Sequence, residues 1–276
     1  MTFTANWHDL SFVYTALIRL FSVYLLITSL EYARIIREFS GNGLFSWKIL
    51  RTGIPPRILP LCPGFLFGPA GVFGMMLARI ACSIALFIAP LTPYTVFWVA
   101  VIAIIALLLA LRNSIGNDGS DQMAMIVSIS LLLSFAAHDP KIASLGLYFM
   151  AAQAILAYGI AGLAKLLSRK WRSGLAVFQV MNMETFGNER LARWLHGSRP
   201  WVSRLLAWHI LLFETFFFLV LFLPQPWCYI LLAWGLLFHL FNAVVMGLNR
   251  FFWVFLATYP AILYVNAVLH PSTHVI

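Results

Sequence analysis

Acidic side chains are scarce in this chain. Its 276 residues hold 9 Asp and Glu against 18 Lys and Arg, and charged residues make up only 10% of the whole. An ordinary soluble domain carries about 25% charged residues, so a soluble fold is excluded. Cysteine is as sparse. Cys62, Cys82 and Cys228 lie far apart and form no C-x-x-C pair, which argues against thiol–disulfide exchange and against a cysteine zinc site. Cys82 and Cys228 read as small hydrophobes. No H-x-x-x-H pair and no carboxylate–histidine pair at ligand spacing occurs, so no metal is expected. No internal repeat is visible either, which weakens a small-solute transporter built from repeated halves. Met1 to Leu10 contains no Lys or Arg and no small-residue cleavage site, so a signal peptide is not expected.

Apolar residues fill the space that charge leaves: they make up 62% of the chain. The expected fold is all-α, a polytopic transmembrane helix bundle of about eight spans of about 20 residues, in a single membrane domain over residues 1–276. The spans fall at roughly 10–31, 69–90, 94–112, 122–137, 142–166, 203–223, 227–247 and 251–269. Pro90 with Pro93, Asp139 with Pro140, and Pro224 with Pro226 punctuate three of the turns.

The net charge of +9 is read as membrane topology and contact with anionic lipid, with no nucleic-acid partner. The first connection carries Arg34, Arg37, Lys48, Arg51 and Arg57. The fifth carries Arg169, Lys170, Arg172, Arg190, Arg193 and Arg199. Arg112 lies in the third and Arg250 in the seventh, while the even connections hold little beyond Lys141. Odd connections are therefore expected in the cytoplasm and both termini outside, as in a multi-pass protein of a bacterial inner (plasma) membrane. Two connections are long enough for interfacial segments: 41–67, rich in Pro and Gly, and 170–204, which mixes arginines with Trp171, Phe178, Phe186, Trp194 and Trp201.

Ionisable groups inside the spans are the candidates for function, because intramembrane charge is costly. Lys165 closes the long fifth span. It is either a base, once desolvated, or a lysine snorkelling to the headgroups. Arg19 and Arg79 lie near the middle of the first two spans. Each is expected to face the bundle interior and an acidic partner, a carbonyl or an anionic ligand, or else to form a structural ion pair. Glu214 is the one acidic residue deep in a span. It pairs with Arg19, Arg79 or Lys165, or it moves protons. His239 and Asn242, three apart, share a helix face. With His209 they build either a polar pocket or interhelical hydrogen bonds. Asp118 and Asp121 have the spacing of a helix cap.

Three stretches carry a resemblance. The first is Leu17, Ile18, Arg19 and Leu20. The second is Ala161, Gly162, Lys165 and Leu166 in the pattern A-G-x-x-K-L, followed by W-x-x-G at Trp171 and Gly174. The third is Phe238, His239 and Asn242 in the pattern F-H-x-x-N, with the aromatic run Phe251 to Pro260 after it. Together they resemble the HTTM family, the membrane domain shared with vitamin K-dependent gamma-carboxylase. The resemblance implies a quinone or hydroquinone cofactor in a pocket between helices. It also implies carboxylase-like chemistry on a secreted peptide or a lipid-like substrate. Lys165 would be the base, with His239 and Glu214 beside it, and Arg19, Arg79, Asn242 and Trp171 would hold the cofactor. Short members of the family are similar to a toxin-maturation factor, which implies an alternative: a non-catalytic membrane partner in the maturation, export or immunity of a secreted peptide.

The topology is testable by itself. In a cysteine-free background, Cys introduced at Thr4 or Thr273 should react with an impermeant maleimide on intact cells, and Cys at Ser198 only after permeabilisation. Free labelling at Ser198 with protection at Thr4 would invert the orientation.

Overall fold

The computed structural model describes residues 6–41, 43–113 and 117–271. Thr4 and Thr273, the labelling positions, lie outside them. The regular structure of the described residues is helical, without strands. In chain order the principal helices are α1 Leu10–Arg34, α2 Pro69–Ile88, α3 Thr95–Arg112, α4 Gly119–Ala136, α5 Pro140–Leu167, α6 Leu175–Met181, α7 Glu189–Gly197, α8 Pro200–Phe216, α9 Gln225–Met246 and α10 Asn249–Leu269. A 3₁₀ segment, Phe217–Leu221, prolongs α8. All but α6 and α7 are long and apolar enough to cross a membrane, eight in total among the described residues. The chain is a helical, multi-pass integral membrane protein by this measure.

The observed spans match the expected ones, with ends that differ by at most three residues. The early starts of α4, α5, α8 and α9 have a common cause. First turns are built from capping residues and prolines, which hydropathy leaves out. Asp118 opens α4 with a full capping box: its carboxylate accepts from the backbone N–H of Ser120 and Asp121, and Asp121 returns a contact to the Asp118 N–H. Asp9 caps α1 through Ser11, and Asp139 accepts from the Lys141 N–H at 2.8 Å. Proline stands in the first turn of α2, α8 and α9, where its missing N–H is no loss. Gly247, at φ +73°, ends α9 in the left-handed conformation.

Backbone contacts group the chain into two compact units, residues 1–150 with 253–260, and residues 151–252 with 261–276. In the first, α1 packs on α2, α2 on α3 and α3 on α4. Small polar side chains line the α1–α2 contact: Ser22, Ser29 and Ser83 are all buried, as suits helices that must approach closely in lipid. Cys82 is buried here too, and Cys228 is buried in the second unit. In the second unit α6, α7 and α8 share a core of Val177, Met181, Ala192, Leu195, Ala207 and Leu211. The α10 helix is the most enclosed, with 72% of its most apolar stretch buried against 28–44% in the other spans. Those spans carry large exposed apolar side chains along their length, among them Leu77, Ile88, Phe97, Leu145 and Leu237. In water such a surface would aggregate, whereas lipid covers it.

Arg112 was expected to be a loop charge. It is instead fully buried in the last turn of α3. Its Nε donates to the Phe67 carbonyl (2.9 Å), its Nη2 to the Phe45 carbonyl (2.7 Å) and its Nη1 to Asn113 Oδ1 (2.9 Å), and the guanidinium lies 4.6 Å from the centre of the Phe39 ring. The first connection is a run of short helical turns with Pro55, Pro56 and Pro63 between them, and Arg112 ties it to α3 at Phe45 and Phe67. Arg112→Ala should loosen it. The thermal unfolding midpoint should fall by the equivalent of at least about 2 kcal/mol, the scale of hydrogen bonds to a charged group. Protease cuts should appear between Phe45 and Phe67. Arg112→Lys should rescue little, because an ammonium cannot reproduce the guanidinium fork.

Candidate functional site

The α5 face that carries Tyr158, Gly162 and Lys165 repeats every three to four residues, so the three side-chain positions lie in one stripe. At its centre Gly162 has no side chain. A Cβ there would fall on the backbone of α8, 2.7 Å from the Glu214 carbonyl carbon and 2.7 Å from Thr215 Oγ1. The two helices therefore meet backbone to backbone. One turn further on, that contact lets Lys165 reach across. Its Nζ lies 2.5 Å from Glu214 Oε2, the lysine side chain 21% exposed and the glutamate 7%. Of the partners open to Glu214, the structure selects Lys165.

Trp171 completes this group. Its ring centre is 5.4 Å from Lys165 Nζ, within cation–π range. The chain between them leaves α5 through a single helical turn, Arg169–Arg172, and then Gly174. Gly174 sits at φ +85°, with α8 so close that a Cβ would stand 2.7 Å from the Cα of Arg204. Both glycines of the A-G-x-x-K-L…W-x-x-G pattern thus permit close backbone approach, and together they set Lys165, Glu214 and Trp171 side by side. Thr215 Oγ1 is buried against Gly162 and has no hydrogen-bond partner among the described residues.

At the other end of the stripe, the Tyr158 hydroxyl and His239 Nε2 on α9 are 2.7 Å apart, both side chains buried. Aromatic rings enclose them. Phe217 lies 3.9 Å from Tyr158 between centres, and Phe213 5.7 Å edge to face. Asn242 is half-buried one turn beyond His239 on the same face, and its backbone carbonyl accepts from the Leu248 N–H at the end of α9. His209 does not join this group. On the exposed side of α8 it accepts from the Trp234 indole N–H at 3.1 Å.

The two arginines belong to the first unit. Arg79 is buried in the first unit, where its Nε donates to Ser29 Oγ at 2.9 Å and its Nη2 to Thr28 Oγ1. Both hydroxyls in turn donate to carbonyls of their own helix, so their oxygens are free to accept. Arg79 borders a cavity of about 60 Å³ shared with Tyr24, Tyr32, Asp121 and Gln122, large enough to admit water. Arg19 corrects the expectation that it faces the interior, though a carbonyl is among the partners expected for it. It is exposed, and its Nε donates to the Phe87 carbonyl at 3.3 Å. Phe87 belongs to the last turn of α2, so Arg19 stands level with a helix end, not with the middle of its neighbour. A long side chain at that level reaches polar groups at the boundary.

Sequence reasoning passed over Tyr158, Thr215 and the buried role of Arg112. For Tyr158 a signal existed, its position two turns before Lys165 on the same face. For Arg112 there was none, because its carbonyl partners come from backbone that is distant in sequence. Compared with family models, with curated proteins and with solved structures, the chain matches none of them.

The close contact at Gly162 makes a paired prediction. Gly162→Ala should lower stability by about 1–3 kcal/mol, the scale of overpacking, because the clash is with backbone. Gly159→Ala, with nothing within 4 Å of its Cβ, should be neutral or raise stability by about 0.5–1 kcal/mol. Thermal unfolding of the two variants in the same detergent checks both, and a neutral Gly162→Ala would contradict the packing described.

Proposed function

We propose that the chain is an enzyme of a bacterial inner (plasma) membrane, of the HTTM type, that uses a quinol-like cofactor to modify a peptide or lipid-like substrate. The observation that carries this reading is the Lys165–Glu214 pair, 2.5 Å apart, with the lysine partly open and Trp171 against it. A lysine can act as a base only after giving up its own proton. Glu214 Oε2, 2.5 Å from Nζ, lies within reach of that proton. The free amine of Lys165 can then accept a proton from a hydroxyl brought to its open side. Arginine could not do this, since its guanidinium does not deprotonate in proteins.

The chemistry of the donor set fits a phenolic hydroxyl. An ammonium–carboxylate pair supplies both donor and acceptor, and Trp171 offers a flat apolar face. A bound hydroquinone would bring reducing electrons that no side chain here provides. His239, held by Tyr158, and Asn242 supply polar lining on α9, and Arg79 belongs to a separate polar cavity. The resemblance in the A-G-x-x-K-L and F-H-x-x-N patterns supports the same reading, and carboxylase-like chemistry follows from it alone.

One observation favours the second reading, a non-catalytic partner in the maturation, export or immunity of a secreted peptide. Lys165 and Glu214 satisfy each other where α5 and α8 touch at Gly162, so the pair also works as a helix clamp. The two readings part at Lys165→Arg, which keeps the ion pair. In nanodiscs, the purified protein should speed oxygen-dependent loss of a soluble naphthohydroquinone above the uncatalysed blank. Lys165→Ala and Lys165→Arg should lose at least about 100-fold of that increment, the scale of a general base. Lys165→Arg should keep its unfolding midpoint within a few degrees. Wild-type turnover in Lys165→Arg would sink the base and leave the clamp.

A further inference from the structure

The connection between Lys165 and α8 is the most basic part of the molecule. Residues 168–204 hold seven Lys and Arg against Glu184 and Glu189. The structure shows how that charge is displayed. The α7 helix buries Ala192 and Leu195 in the core it shares with Ala207 and Leu211 of α8, and Asn188 fixes its start by accepting from the Leu191 N–H. Its opposite face carries Arg190, Arg193 and Trp194, one turn apart, all three exposed, with Trp194 at 56%. Arg199, Trp201 (58% exposed) and Arg204 follow at the start of α8.

The depth of this face follows from its neighbour. The α8 helix begins a membrane span at Pro200, so Trp201 and Arg204 in its first turns stand at the boundary between water and hydrocarbon. The α7 helix ends at Gly197, with only two residues between it and Pro200, which holds its last turn near the start of α8, and it packs on α6, which packs on α8 in turn. Exposed tryptophans next to arginines at that level suit the headgroup region, where an amphipathic ring has both media. A nucleic acid or an acidic protein would meet the charge without accounting for the exposed Trp194, Trp201 and Leu205.

We infer that Arg190, Arg193 and Trp194 on α7, with Arg199 and Trp201, form a binding site for the phosphodiester headgroup of an anionic phospholipid. Arg190 and Arg193, one turn apart on one face, converge on a single phosphate, and Trp194 and Trp201 rest at the glycerol level. The site is independent of any chemistry at Lys165. It lies one packing layer from it, because Leu166 and Trp171 pack against the same core as α7.

The test uses full-length protein in nanodiscs of phosphatidylcholine, alone or mixed with phosphatidylglycerol, with lipid retention after mild delipidation read by native mass spectrometry. Wild type should keep phosphatidylglycerol in preference to phosphatidylcholine. R190Q/R193Q should lose that preference by roughly 30-fold, from two basic contacts of about fivefold each. R190K/R193K should recover most of it. R51Q/R57Q removes the same charge from the first connection and should leave retention unchanged. Equal retention in R190Q/R193Q and wild type, or an equal loss in R51Q/R57Q, would overturn the site. Displacement of phosphatidylglycerol by inorganic phosphate at constant ionic strength would overturn the lipid assignment in favour of a free anion. Capture of an acidic peptide or an oligonucleotide by wild type but not by R190Q/R193Q, without lipid preference, would overturn it as well.

Discussion

A charged side chain that enters an apolar helix bundle gives up its hydration, a loss of several kcal/mol unless another polar group replaces the water. That requirement organises this molecule more than any other. Arg79 meets it with two hydroxyls of α1, Arg112 with carbonyls from the first connection, and Lys165 with the carboxylate of Glu214. In each case the partner lies on a different segment. The charges therefore determine which segments touch, while the abundant leucines and phenylalanines leave that open: lipid tails are as apolar as the side chains, so apolar contact alone does not choose a partner.

The same principle divides what could be read from sequence from what could not. The eight spans follow from composition and run length, and α4, α5, α8 and α9 start two or three residues early where a capping Asp or a first-turn proline extends the helix into polar sequence. That Glu214 needed a partner was also legible, because an acid in the middle of a span has few options. Which partner it takes depends on Gly162, whose importance rests on the local closeness of α5 and α8. Depth was the least legible quantity. Arg19 looked central when counted along its own helix, but its level is set by the neighbouring α2, whose last turn supplies Phe87. Arg112 was read by its position at a span end, where cations are usually solvated. Its burial arises from the fold of the preceding connection, which no local pattern announces.

Lys165 and Glu214 also show why a functional reading has to pass through geometry. Either residue alone is an intramembrane ionisable group, and such groups commonly mark function. As a pair they form a closed unit that can stabilise, exchange a proton, or do both. The partial opening on the lysine side and the flat ring of Trp171 distinguish this pair from a sealed clamp such as the Arg112 cluster. Tyr158 and His239, by contrast, are enclosed by Phe213 and Phe217, an arrangement that fixes α5 against α9 whatever else it does.

The end of the sixth span gives a consequence for how the chain is made. Where α8 tightens into its 3₁₀ segment, the last carbonyls have no donors from their own helix. The amide nitrogen of Asn266, buried near the end of α10, lies 2.9, 3.3 and 2.8 Å from the carbonyl oxygens of Val220, Leu221 and Leu223. Ribosomes deliver Asn266 more than forty residues after those carbonyls. During synthesis the sixth span therefore enters the membrane without the protein donor that its outgoing end has in the finished fold, and the final helix supplies it. A polypeptide halted before that helix would hold an exposed polar terminus at the edge of the hydrocarbon, the kind of defect by which membrane quality control can recognise an incomplete protein.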